Sequence, residues 1–159
     1  MAESPFSGKV RIRVGALIFK SKSMLFVKQH VPTLEKEVWL PPGGGIEFGE
    51  KLDNALIREV KEETGLTVHV QQLRIVHEFY LNNHHAIEFY FSGKATNYDI
   101  STGSDPEMEK TGQQYLTDAR FIPLNNFMDF EIYPDFIKKE LPVLTGTAGP
   151  VKYYQTWHK

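Results

Sequence analysis

The chain has 159 residues, 41% hydrophobic and 24% charged, with a net charge of −2, enough for one domain with a real core and too few for two comfortable ones. That charge argues against broad electrostatic capture of a nucleic-acid backbone, and no apolar run approaches the length of a membrane span. Cysteine is absent, which excludes disulfides, thiolate metal sites and cysteine nucleophiles and fits a reducing, cytoplasmic compartment. Residues 1–159 read as a single domain with 1–8 as a loose tail, and the N-terminus lacks the basic-then-apolar pattern of a signal peptide.

Val10, Ile12 and Val14 alternate with Arg11 and Arg13, a period-2 strand that runs on into Gly15–Lys20. Met24–Lys28 is a second short strand, and the Ser21–Ser23 turn makes the two a hairpin. A polar loop is expected over His30–Val38. Trp39 reads as a core or rim anchor, and Pro41–Gly45 as a glycine loop without regular structure. Leu52–Thr64 contains no Pro or Gly and predicts a helix that stops at Gly65. Thr67–Leu81 and Ala86–Ala95 predict a long hairpin turning at Asn82-Asn83. Asn97–Gly112 is a polar, acidic loop. Ala119–Ile122 is a strand ended by Pro123, and short helices follow at Leu124–Phe130 and Asp135–Leu141. Val151–Trp157 reads as a terminal edge strand or a homodimer arm. Strands dominate, and one helix carries a cluster of acids, so the fold class is α/β (α+β) in packed layers.

That helix departs from the usual amphipathic pattern. Leu52, Ala55, Leu56 and Val60 share one face at helical spacing. Glu59 and Glu63 fall in the same arc and Glu62 lies at its edge, each within three or four residues of the others. Like charges beside an apolar stripe repel and are costly to desolvate. Divalent cations among them remove that cost, and carboxylates with backbone carbonyls are the ligands Mg²⁺ or Mn²⁺ prefers. A solvated acidic face balanced by Lys51, Arg58 and Lys61 would place the acids on the opposite side.

The stretch Gly44 to Leu66 resembles the Nudix box, G-x5-E-x7-R-E-U-x-E-E-x-G-U with U bulky aliphatic. Gly44, Glu50, Arg58, Glu59, Val60, Glu62, Glu63, Gly65 and Leu66 fill every specified position. The resemblance implies the Nudix fold, a mixed β-sheet sandwiched between helices with a catalytic loop-helix-loop. It implies Mg²⁺-dependent hydrolysis of a phosphoanhydride in a nucleoside diphosphate linked to another moiety. Carried over position by position, Glu59, Glu62 and Glu63 would be metal ligands, with the Gly43 carbonyl a further one. Glu59 would double as the base, and Arg58 with Glu50 would form an orienting ion pair. Because one helix face cannot surround an octahedral ion, a further acid is expected from the 97–112 loop. Glu109 is preferred there over Glu107, with Glu88 on the neighbouring strand as the rival.

The substrate is less legible. WLPPGGGIEFGE looks like the nucleoside-triphosphate group of the family, so a small nucleotide is expected and an extended nucleic acid is not. Arg13 and Lys28 are candidates for phosphate contact, and Tyr80 lies near where diadenosine-polyphosphate hydrolases carry a tyrosine. Solvated strand faces and cross-strand packing are the bland readings of these residues. Phe79, Tyr90, Phe91 and Tyr115 are weaker stacking candidates. The alternative function is a catalytically silent Nudix-like module that senses a nucleotide, against which the complete acid triad argues.

Overall fold

The computed structural model describes residues 7–31, 34–102, 116–145 and 149–158. Its centre is strand β1 (Val10–Lys20), whose alternation sends side chains to two different cores. Val14, Ala16 and Ile18 join Leu25, Ala55, Leu56, Val60 and Leu66 on one face of the sheet. Leu17 joins Met24, Phe26, Trp39, Ile75, Tyr90 and Phe136 on the other. A period of two splits one strand between two apolar layers.

β1 turns back into β2 (Ser23–Val31) as an antiparallel hairpin, with Phe19 opposite Met24. β2 then pairs with β3 (Lys36–Leu40). The polar loop expected over His30–Val38 is therefore mostly strand. Its register is held by cross-strand chemistry rather than by apolar alternation, as in the Lys28–Glu37 ion pair at 3.0 Å. Such opposed charges stabilise a strand pair without leaving a hydrophobic period to read.

Gly43–Gly45 is likewise a strand, β4, antiparallel to β1 with Val14 opposite Gly44. The expectation of irregular structure rested on glycine's weak intrinsic preference, and backbone pairing overrides it. A Cβ on Gly43 would stand 2.0 Å from the Val14 carbonyl oxygen, so the approach of the two chains admits only glycine.

Helix α1 (Leu52–Thr64) packs on the Val14 face of the sheet and ends at Gly65, which takes φ +72° and returns its N–H to the Lys61 carbonyl. β5 (Val68–Leu81) and β6 (His84–Ala95) form the long hairpin, and Asn82 and Asn83 both adopt positive φ at its turn. β6 lies parallel to β1, and Arg13 is opposite Glu88. β7 (Leu116–Pro123) pairs with β2. A 3-10 turn at Leu124–Asp129 and the short helices α2 (Phe136–Lys139) and α3 (Leu141–Thr145) follow. Phe127, Phe136, Ile137 and Leu144 from these turns cover the Leu17 face. β8 (Lys152–Trp157) runs parallel to β5 at the sheet edge. The result is the expected mixed sheet between helical layers. Among the described residues, no helix is long and apolar enough to cross a membrane.

Candidate active site

The acids of α1 are turned into the protein. Glu59 is 4% exposed and Glu63 is 1% exposed, while the Glu62 side chain is half-buried. The two buried carboxylates meet consecutive glycines of β4. The Gly43 N–H donates to Glu63 Oε2 at 2.9 Å, and a Cβ on Gly44 would stand 2.4 Å from the Glu59 carboxyl carbon. Gly44 is thus a gap shaped to the Glu59 head group.

The ladder of β4 decides where its backbone groups point. The Ala16 N–H donates to the Pro42 carbonyl and the Ile46 N–H to the Ile12 carbonyl, so Val14 and Gly44 form the hydrogen-bonded pair between them. In an antiparallel pair the alternate residues turn both backbone groups outward. Gly43 and Gly45 therefore present N–H and C=O away from β1. The bonds of Gly43 to Glu63 and of Arg58 Nη2 to the Gly45 carbonyl at 3.1 Å lie on that side.

Arg58 gathers the remaining acids. Its Nε and Nη2 donate to the two oxygens of Glu50, each at 2.9 Å. Nη1 donates to Glu59 Oε1 at 2.8 Å and to Glu62 Oε2 at 3.4 Å. The bidentate geometry is the strong form of this pair. The hydrogen bond to Glu50, opposed by burial and reinforced by Glu59, raises the Arg58 pKa above its ordinary value. The Glu50 carboxyl is lowered by its hydrogen bond to Arg58. Glu50 also accepts the Glu47 N–H at 3.0 Å, tying the loop before α1 to the same arginine.

Among the described residues, no three carboxylate, imidazole or thiolate side chains stand as a preassembled metal cage. The acids instead take the nearest protein donors, Arg58 and the Gly43 N–H. The donor set still suits a hard cation. It is oxygen-only and partly buried, it repels itself, and it lies beside a backbone carbonyl that points outward. Glu107, Glu109 and Tyr115 lie outside the described residues.

A second polar group sits on the opposite face of the sheet and was not assembled from the sequence. His77 is fully buried, with Nδ1 2.8 Å from Glu88 Oε2 and Nε2 2.9 Å from Thr156 Oγ1. The Tyr90 hydroxyl donates to Glu88 at 3.0 Å, and Arg13 Nε lies 3.3 Å from its other oxygen. Burial pushes the Glu88 carboxyl up, yet the hydrogen bond with His77 and the charge of Arg13 hold it below the ordinary value. Glu88 therefore faces the core beside Tyr90 and Ala86, not solvent, and its oxygens are taken by protein donors. The Tyr133 hydroxyl is buried and has no hydrogen-bond partner among the described residues.

The other sequence candidates are dispersed. Lys28 is on β2 and paired to Glu37. Tyr80 stacks on Trp157 at 4.7 Å, packing β8 onto β5. Phe79 stands edge-on to Tyr133, Tyr90 is core, and Trp39 is buried with the Arg120 guanidinium over its ring at 5.0 Å. His85 bonds Glu78, and His84 bonds the Asn82 carbonyl at the hairpin turn.

A mixed sheet between helical layers, with an acid-bearing helix seated against a glycine strand, is the architecture implied by the box. A family model described as "NUDIX domain" matches residues 9–138, and the chain belongs to the Nudix family. It is similar to an RNA pyrophosphohydrolase of Novosphingobium aromaticivorans, 38% identical over 53 residues that make up 33% of each protein. It is also similar to an ADP-ribose pyrophosphatase of Methanocaldococcus jannaschii, 29% identical over 117 residues, 72% of this chain and 63% of that one. The aligned part thus spans less than two thirds of either relative. A Nudix hydrolase structure from Nitrosomonas europaea superposes with a TM-score of 0.69 at 21% identity, covering 85% of this chain and 88% of that one. That likeness shows the fold.

Proposed function

We propose that the chain hydrolyses a phosphoanhydride bond in a nucleoside diphosphate linked to another moiety, with a nucleoside triphosphate or related small nucleotide as substrate. The observation that carries this reading is the pair of buried carboxylates, Glu59 and Glu63, seated on Gly44 and Gly43 of β4 with Arg58 and Glu50 locked beside them. A structural helix gains nothing from charges in that position. The names of the two relatives share cleavage of a pyrophosphate and differ in what carries it, so they support the reaction class.

Glu59, Glu62, Glu63 and the Gly43 carbonyl would hold Mg²⁺, or Mn²⁺ in its place, and Glu109 is the acid we assign from the 97–112 loop. A divalent cation bound there would neutralise phosphate oxygens and make the attacking water more acidic. Glu59 would take the proton of the attacking water. Arg58 fixes the angle of Glu59 and Glu62, and Glu50 fixes Arg58. Arg13 is the cation we assign to the phosphates. Lys28 would have to leave Glu37, and Tyr80 would have to leave Trp157, to take the same role.

The test is a screen with Mg²⁺ across nucleoside triphosphates, dinucleoside polyphosphates, nucleotide sugars and ADP-ribose in ¹⁸O-water. At least one should be cleaved with the label on a phosphate product, and chelator should abolish the reaction. Hydrolysis that persists in chelator, or label in the sugar or base fragment, would sink this chemistry. Tight nucleotide binding with no turnover of any compound would favour the sensor reading.

A further inference from the structure

One residue from each of four adjacent strands forms a polar row across the sheet. Thr156 of β8, His77 of β5, Glu88 of β6 and Arg13 of β1 touch in that order. The register explains the row. Arg13 is directly opposite Glu88, Glu88 is directly opposite His77, and Thr156 lies two residues beyond Tyr154, which is opposite His77. The row continues to the box. On its other edge, Arg13 is opposite Gly45, whose carbonyl receives Arg58. The Thr156 end lies outside residues 9–138, the part of the chain that matches the family.

Each contact fixes the next. An ionised carboxylate only accepts hydrogen bonds, so the proton of the pair is on His77 Nδ1. Nε2, the other ring nitrogen, meets the Thr156 hydroxyl at 2.9 Å, and the two contacts together fix the ring plane. Phe136 closes over the ring at 4.9 Å and itself stacks on Tyr154 at 4.7 Å. His77 and Tyr90 share Glu88 Oε2, which leaves Oε1 to Arg13. Buried charge is weak as a stabiliser, since a well-packed apolar row performs as well or better. What it supplies here is direction. The Arg13 side chain is 26% exposed, so a guanidinium anchored from beneath reaches the surface beside the box strand.

We propose that Thr156 and His77 are positioning residues for Arg13, acting through Glu88, so that the C-terminal strand sets the cation that meets the substrate's phosphates. This rests on the phosphate role assigned to Arg13 above.

The experiment compares Thr156→Val, which removes the hydroxyl, with Thr156→Ser, which keeps it, in the full chain, using ATP and ADP-ribose as probes. Three quantities are read: the hydrogen-exchange rate of the Arg13 Nε–H by NMR, nucleotide affinity in chelator, and KM and kcat with Mg²⁺. Thr156→Val should speed the exchange about tenfold and weaken affinity and raise KM about fivefold, with kcat within about twofold. Thr156→Ser should restore all three. Unchanged exchange in Thr156→Val overturns the row as a mechanical connection. Faster exchange with unchanged affinity and KM overturns its role toward substrate, as does a wild-type Arg13 signal that neither nucleotide moves. Absence of hydrolysis of every compound in the screen above would instead sink the reaction proposed there, and exchange and affinity would still judge the row.

Discussion

Two ionic networks among the described residues, one built on Arg58 and one on Arg13, differ in how far along the chain their members are gathered. Arg58 draws on Glu50, Glu59 and Glu62, all within eight residues. Arg13 draws on Glu88, which holds His77, which holds Thr156. The first network is one helix and the loop leading into it, so short-range chain geometry gathers its side chains, with Arg58 and Glu62 paired at i,i+4. The second exists only once four strands are in register. Local networks can be tuned by single substitutions. A network strung across a sheet ties the placement of one side chain to the docking of a distant strand.

The sharpest division between the two networks should come from Glu59→Gln and Glu63→Gln. Each should lower kcat about 100-fold or more, while circular dichroism and thermal midpoint show a fold as stable as the parent or more so, since a mutually repelling charge is gone. Near-parental rates in both variants would remove the α1 network from the chemistry.

Gly44→Ala should come next. Its methyl group would collide with the Glu59 carboxyl, and a displacement of about 1 Å at a reacting group costs on the order of 100-fold. A loss of kcat of roughly 10- to 100-fold is expected, with a smaller effect on folding than a Leu56→Ala cavity would produce. Unaltered kcat would mean that Glu59 can work from another position.

Glu88→Gln probes the other network, where the first effect should be on stability. Leaving Arg13 and His77 without the carboxylate should cost about 2 kcal/mol in urea unfolding at neutral pH. The Glu88 pKa is lowered in the folded protein. Its contribution is therefore complete above the unfolded carboxyl value near ~4.3 and is lost as pH falls through the lower folded value. The gap between variant and parent should narrow in acid, and a gap that is constant down to low pH would contradict the assignment.

Tyr133→Phe should have the smallest effect. It removes a buried hydroxyl that lacks a partner among the described residues, so stability should stay within about 1 kcal/mol or rise slightly. A large loss would reveal a hydrogen bond made by that hydroxyl.

The same contrast explains what could be read from the sequence. The helix, its stop at Gly65, the Asn82-Asn83 turn and the inward acids follow from local period and local chemistry, and the structure has them at those residues. β4 was missed because glycine carries no strand signal, and its pairing partner lies some thirty residues earlier. β3 was missed because charge pairs, not apolar alternation, specify it. Glu88 shares its parity with Ala86 and Tyr90, and parity within a strand names two faces without saying which is covered. The answer came from Phe136 and Tyr133, which no spacing connects to β6. No local period marks His77, because its partner Thr156 is seventy-nine residues away.

The chain has two tryptophans, and they fall in different optical environments. Trp39 is 7% exposed between Phe130 and the Arg120 guanidinium, whereas Trp157 is 47% exposed and stacked on Tyr80 beside the His85 ring. Trp39 should emit to the blue and resist aqueous quenchers, while Trp157 should emit to the red and yield to them. Departure of β8 from the sheet would release Trp157 from the Tyr80 and His85 rings and leave Trp39 unchanged. The protein thus carries its own two-colour report, with loosening of the C-terminal edge distinguishable from loss of the core in a single emission spectrum.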